Sequence, residues 1–112
     1  MADEREKDRR QHERHPVSFR VDYTGEATGS GQAADLSTLG CAVMADTAVS
    51  VKTYVKVELA LSDGAKPLEI ELAVVRWSHG NNFGVEFIAF GEVQKTRLKR
   101  FLISVAEPGL SL

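Results

Sequence analysis

Arginine and aspartate stand where they could bind a charged, planar ligand. Near the start runs Arg9-Arg10-Gln11-His12-Glu13-Arg14, in which Arg10 and Arg14 lie four apart. Further on comes Asp35-Leu36-Ser37-Thr38-Leu39-Gly40, an Asp-x-Ser-x-x-Gly turn that opens an apolar run. A guanidinium carries a fixed fork of donors that matches phosphate oxygens or the O6/N7 edge of guanine. A carboxylate can accept hydrogen bonds from guanine's N1–H and exocyclic amine. Together the two segments supply what a guanine nucleotide with phosphate needs.

Other chemistries find little support. His12, His15 and His79 are scattered, with no Cys or His spacing that resembles a zinc site. Ser37 has no histidine close in sequence and sits in no nucleophile elbow. No phosphate-binding loop of the GxxxxGK[ST] type occurs, nor a GxGxxG followed by a helix. The single cysteine, Cys41, excludes a disulfide framework and reads as a small buried hydrophobe. We therefore expect a binding protein rather than an enzyme, without cofactor or metal.

The elements that must position these residues follow from periodicity. The 112 residues make one domain, with 43% hydrophobic and 27% charged side chains. Residues 1–15 hold five acidic and five basic side chains, with only Met1 and Ala2 apolar. Such a segment buries too little surface to offset its ordering entropy, so a flexible arm is expected. Val17, Phe19, Val21 and Tyr23 alternate with polar residues, the period of a half-buried strand. Residues 24–31 hold three glycines and read as a turn, with a short second strand over 32–36. Residues 40–45 read as a core strand and 54–61 as an alternating one. From Leu68, Ile70, Leu72 and Val74 a strand runs on through Trp77, with Arg76 expected on the opposite face from Trp77. Gly80-Asn81-Asn82 reads as a tight hairpin into Phe83, Val85 and Phe87. Leu98, Phe101, Leu102 and Val105 then fall on one helical stripe, which Pro108-Gly109 stops. Six short strands with no helices between them argue for antiparallel pairing, in a barrel or a sandwich.

Motifs and elements together resemble the PilZ family, the binding modules for cyclic di-GMP. The resemblance covers roughly residues 9–105. It implies a mainly β fold, a small six-stranded antiparallel barrel with a C-terminal α-helix. The organisation would be an arm over 1–15 carrying the RxxxR motif, a barrel with its helix over 16–107, and a tail over 108–112. By resemblance Arg10 and Arg14 wrap the ligand, binding guanine edges and phosphates. Arg9 matches an additional arginine of members that bind an intercalated ligand pair. Asp35, Ser37 and Gly40 match the second motif without departure. Some relatives carry an aromatic at the place of Trp77. A bacterial source is implied as well.

Each residue also has a plainer reading. Arg9, Arg10 and Arg14 form a charge run that solvent alone could accommodate, partly neutralised by Asp8 and Glu13. Asp35 and Ser37 suit a turn in which short polar side chains bond local amides. Gly40 would serve an unusual backbone angle or the close approach of ligand. Leu36 and Leu39 read as core. Trp77 reads either as core or as a platform on which guanine stacks.

The expected function is a cyclic di-GMP receptor and adaptor whose arm orders on binding and which signals to an unidentified effector protein. The alternative is a ligand-independent interaction module on the same barrel. A net charge of -2 and 7% aromatic residues argue against a nucleic-acid polymer as partner. No segment approaches a membrane span and no apolar leader is evident, so we expect a cytoplasmic monomer without membrane insertion.

Overall fold

The computed structural model describes residues 13–62 and 64–106. The expected arm lies outside these residues except for its last three positions. So do Asp63 of the turn at 62–64 and the tail expected over 108–112. Six strands form a closed antiparallel barrel in the order β1-β2-β3-β6-β5-β4. They are β1 (His15–Gly25), β2 (Gly29–Leu36), β3 (Gly40–Ala45), β4 (Tyr54–Leu59), β5 (Leu68–His79) and β6 (Asn82–Ala89). Helix α1 (Glu92–Ala106) follows.

Alternation builds the core. Phe19, Val21 and Tyr23 of β1 face inward, as do Val55, Val57 and Leu59 of β4 and Phe83, Val85 and Phe87 of β6. Tyr23 meets Phe83 edge to face at 5.4 Å across the interior. Helix α1 turns Leu98, Phe101 and Leu102 onto the barrel, where Phe101 meets Phe19 edge to face at 6.1 Å. Closure leaves no unpaired strand edge among the six. His79 pairs with Asn82, so the β5–β6 hairpin has a two-residue loop opened by Gly80 at φ 61°.

Three local expectations change. The second strand begins at Gly29, because Gly29 and Gly31 pair with Tyr23 and Val21 instead of turning. Leu61 is buried beyond the end of β4. In β5 the alternation breaks: register shifts follow Leu72 and Val75. Leu68 and Ile70 face in, then Ala73 and Val75 do, and Leu72 is left outside.

Candidate functional site

Arg14 and Asp35 meet. Pro16 of β1 pairs with Asp35 of β2, and Arg14, two residues before Pro16, lies diagonally on the same outer face. Its Nη1 donates to Asp35 Oδ1 at 2.8 Å. The amide of Ala42 donates to the same oxygen at 3.0 Å. The Arg14 and Asp35 side chains are 49% and 31% exposed, so the pair is open to solvent and to exchange. Arg9 and Arg10 lie outside the described residues.

A bulge puts Asp35 there. Ala33 faces the core opposite Val43, and strict alternation would send Asp35 in as well. The β2–β3 register slips between Ala33 and Asp35, so Ala34 is the extra residue and Asp35 turns outward opposite Ala42. Leu36 then points in, fully buried, opposite Cys41.

Ser37 and Gly40 shape the turn that follows. Ser37 is 1% exposed. Its amide donates to the Gly40 carbonyl at 2.9 Å, and its Oγ accepts from the Leu39 amide at 3.1 Å. Gly40 does not take a left-handed backbone angle. A Cβ there would run into the Val85 carbonyl of β6, so glycine permits the close approach of β3 to β6. Leu39 corrects the core expectation. Placed at the turn's tip, it is 46% exposed.

Trp77 is not in the core. A second bulge, between Val75 and Trp77, does for β5 what the first does for β2. Val75 points in, Arg76 is the extra residue, and Trp77 comes out, 41% exposed, opposite Gly84. Arg76 therefore shares the outer face with Trp77 instead of opposing it, and its Nε donates to Glu86 Oε1 at 2.6 Å. The indole lies over Gly84, where a Cβ would clash with Trp77 Nε1.

The pairings join these residues into one row. Pro16 pairs with Asp35, Asp35 with Ala42, Ala42 with Gly84, and Gly84 with Trp77. Directly paired residues share a face. Five neighbouring strands thus present a strip with a carboxylate and arginine near one end, an indole at the other, and two small residues between. Sequence reasoning missed Ala42 and Gly84, since nothing in a lone alanine or glycine signals a floor.

Cys41 lies beneath the strip, fully buried. Burial pushes its thiol up to about 12, Asp35 adds to the rise, and Arg14 opposes it. It is a packed hydrophobe and no nucleophile at neutral pH.

A cleft of about 810 Å³ opens nearby, between α1 and the Thr38–Leu39 tip. Leu39, Ile88 and Ile103 are exposed along it, and Glu13 and His15 stand at its mouth. Among the described residues no cluster of His, Cys, Asp and Glu could hold a metal. None of the described helices is long and apolar enough to cross a membrane.

One family model, described as the PilZ domain, matches residues 8–104. Among solved structures, the Bacillus subtilis inhibitor of motility (MotI/DgrA) is similar with a TM-score of 0.73 at 18% identity. That likeness covers 93% of this chain and 54% of the other, so the chain spans about half the length of that protein. The PilZ domain of CeSA from a cellulose-synthesizing bacterium is similar with a TM-score of 0.65 at 21% identity, over 83% of this chain and 97% of the other. At these identities both likenesses speak for the fold. No curated protein matches.

Proposed function

This chain belongs to the PilZ domain family, whose domains bind and adapt rather than catalyse, and from that premise we propose that it is a cyclic di-GMP receptor that signals to a partner protein. The observation that carries the reading is the meeting of Arg14 with Asp35 at 2.8 Å. Two segments far apart in sequence converge on one exposed oxygen, and each suits a different part of the ligand.

The mechanism is an exchange of donors. In the free protein the Arg14 guanidinium occupies Asp35 Oδ1. A guanine edge offers N–H donors to the same carboxylate. As the base binds, Arg14 gives up that oxygen and turns its fork to a phosphate, where Arg9 and Arg10 join it. An ion pair this exposed contributes about 0–1 kcal/mol, so releasing it costs little. The new charge-assisted bonds are stronger. Ser37 and Gly40 hold the turn that aims Asp35, and Trp77 offers a face for stacking. Ligand thereby orders the segment carrying Arg9 and Arg10. The Thr38–Leu39 tip and Glu13, which line the cleft beside α1, report the change to the partner. The likeness to an inhibitor of motility fits such an adaptor.

Calorimetric titration with cyclic di-GMP tests the proposal. Wild type should bind, and Arg14→Ala should bind roughly ten- to a hundredfold more weakly, the loss of about 1–3 kcal/mol for one good bidentate contact. Equal affinity in the two proteins would remove the assignment of Arg14. Silence in both would leave a ligand-independent interaction module, with the exposed apolar cleft as its surface.

A further inference from the structure

We infer that Gly84 is a positioning residue, which with Ala42 forms the floor of a slot one base wide between Asp35 and the Trp77 indole. The inference rests on the cyclic di-GMP reading and names the residues that give its base a place.

The slot follows from register. Asp35, Ala42 and Gly84 lie opposite one another on β2, β3 and β6, all on the outer face. Two strand spacings, about 10 Å, separate the Asp35 backbone from that of Gly84. Asp35 leans into this interval, since its Oδ1 reaches the Ala42 amide at 3.0 Å. The indole leans in from the other side, covering Gly84 from its own strand. Between them lies Ala42, which is only 9% exposed, so a ring reaches its methyl as the walls on either side move apart. A flat ring that enters here turns one edge to the carboxylate and one face to the indole. A larger residue at 42 would raise the floor.

Gly84 controls the second wall. A Cβ at 84 would clash with Trp77 Nε1 and come within 2.7 Å of Cδ1, so even alanine drives the indole from its seat. Gly84 takes no left-handed backbone angle, so alanine brings no backbone strain there. The effect of a side chain at 84 therefore passes through Trp77. Met44 lies two pairings further along β3, on the same face and opposite Asn82, and its half-exposed side chain bounds the slot on that flank.

Trp77 is the only tryptophan, so its fluorescence reports the slot alone. Four proteins are titrated with cyclic di-GMP: wild type, Gly84→Ala, Trp77→Ala and the double variant. We expect Gly84→Ala to shift the emission of the free protein and to weaken binding about tenfold, the scale of one lost base–aromatic stack. Trp77→Ala should weaken binding to a similar degree, and adding Gly84→Ala to it should change nothing more. A Gly84→Ala protein that binds like wild type would overturn the inference. So would a further loss in the Trp77→Ala background, because the glycine would then act without the indole. Should Gly84→Ala fail to fold, Trp77→Ala decides alone, and unchanged affinity there overturns the slot. Absence of binding in wild type would overturn the receptor reading along with it, an outcome distinct from all of these.

Discussion

Asp35 serves two partners through one oxygen, and that economy explains why a single carboxylate can couple the chain's start to its barrel. Arg14 and the Ala42 amide both land on Oδ1. The pairing was legible in sequence only as the co-occurrence of two weak motifs. Nothing in the spacing says that Ser37 turns its hydroxyl back into its own turn, or that Leu39 stands out in solvent. Those facts come from the tight loop between β2 and β3, which buries one polar residue and exposes one apolar residue. Cys41 was legible, because a lone cysteine in an apolar run is generally core. Its elevated thiol has a consequence for stability. Up to about pH 9 the thiol is protonated in both folded and unfolded chains, and its stabilising contribution is fully present. Between about 9 and about 12 the unfolded chain ionises and the folded one does not. Stability should therefore fall by up to about 1.4 kcal/mol per pH unit over that window and level off above it. Urea titrations at stepped pH should show the fall in wild type and a flatter course in Cys41→Ala; parallel curves would remove the effect.

The bulges in β2 and β5 do more for the site than any single side chain. Each inserts one residue, Ala34 or Arg76, and each thereby turns the next residue out of the core. Period-two reading finds the strands because most of their length obeys it, and six strands and a helix were visible that way. It cannot find a bulge, since an extra residue carries no mark of its own. For that reason Trp77 stayed undecided between core and platform, and Arg76 was expected on the wrong face. Deleting Ala34 is the corresponding test. Without the extra residue, Ala33, Asp35 and Leu36 fall on a regular in-out-in ladder, so Asp35 stays outside opposite Ala42. Chemical denaturation should then show no loss of the size, on the order of 3–5 kcal/mol, that an unpaired buried carboxylate brings. A loss of that size would mean that β2 slides and carries Asp35 inward.

At the scale of the molecule, barrel closure makes binding and folding one linked equilibrium. The strip crosses four of the six seams between strands, so opening the barrel at any of those four breaks it. A ligand held there therefore favours the form in which they are closed. At a hundredfold excess over its Kd, cyclic di-GMP should add about 2.7 kcal/mol of stability. For a domain of this size that raises the melting temperature by about 10–20 °C. Thermal melts with and without ligand read this directly, and an unchanged midpoint would mean that binding lies off the barrel.

The strand order also sets when the site comes into being. Asp35 and Ala42 belong to the first meander, β1 to β3, while Gly84 and Trp77 belong to the second, β4 to β6. The two meanders join only through β3–β6 and β1–β4. On a ribosome the carboxylate emerges well before the indole is made, and each meander can pair locally on its own. Their docking closes the longest loops in the chain, which makes it the slow event. On the proposed reading, recognition is acquired in that last step, and a newly made chain stays deaf to the messenger until its two halves have met.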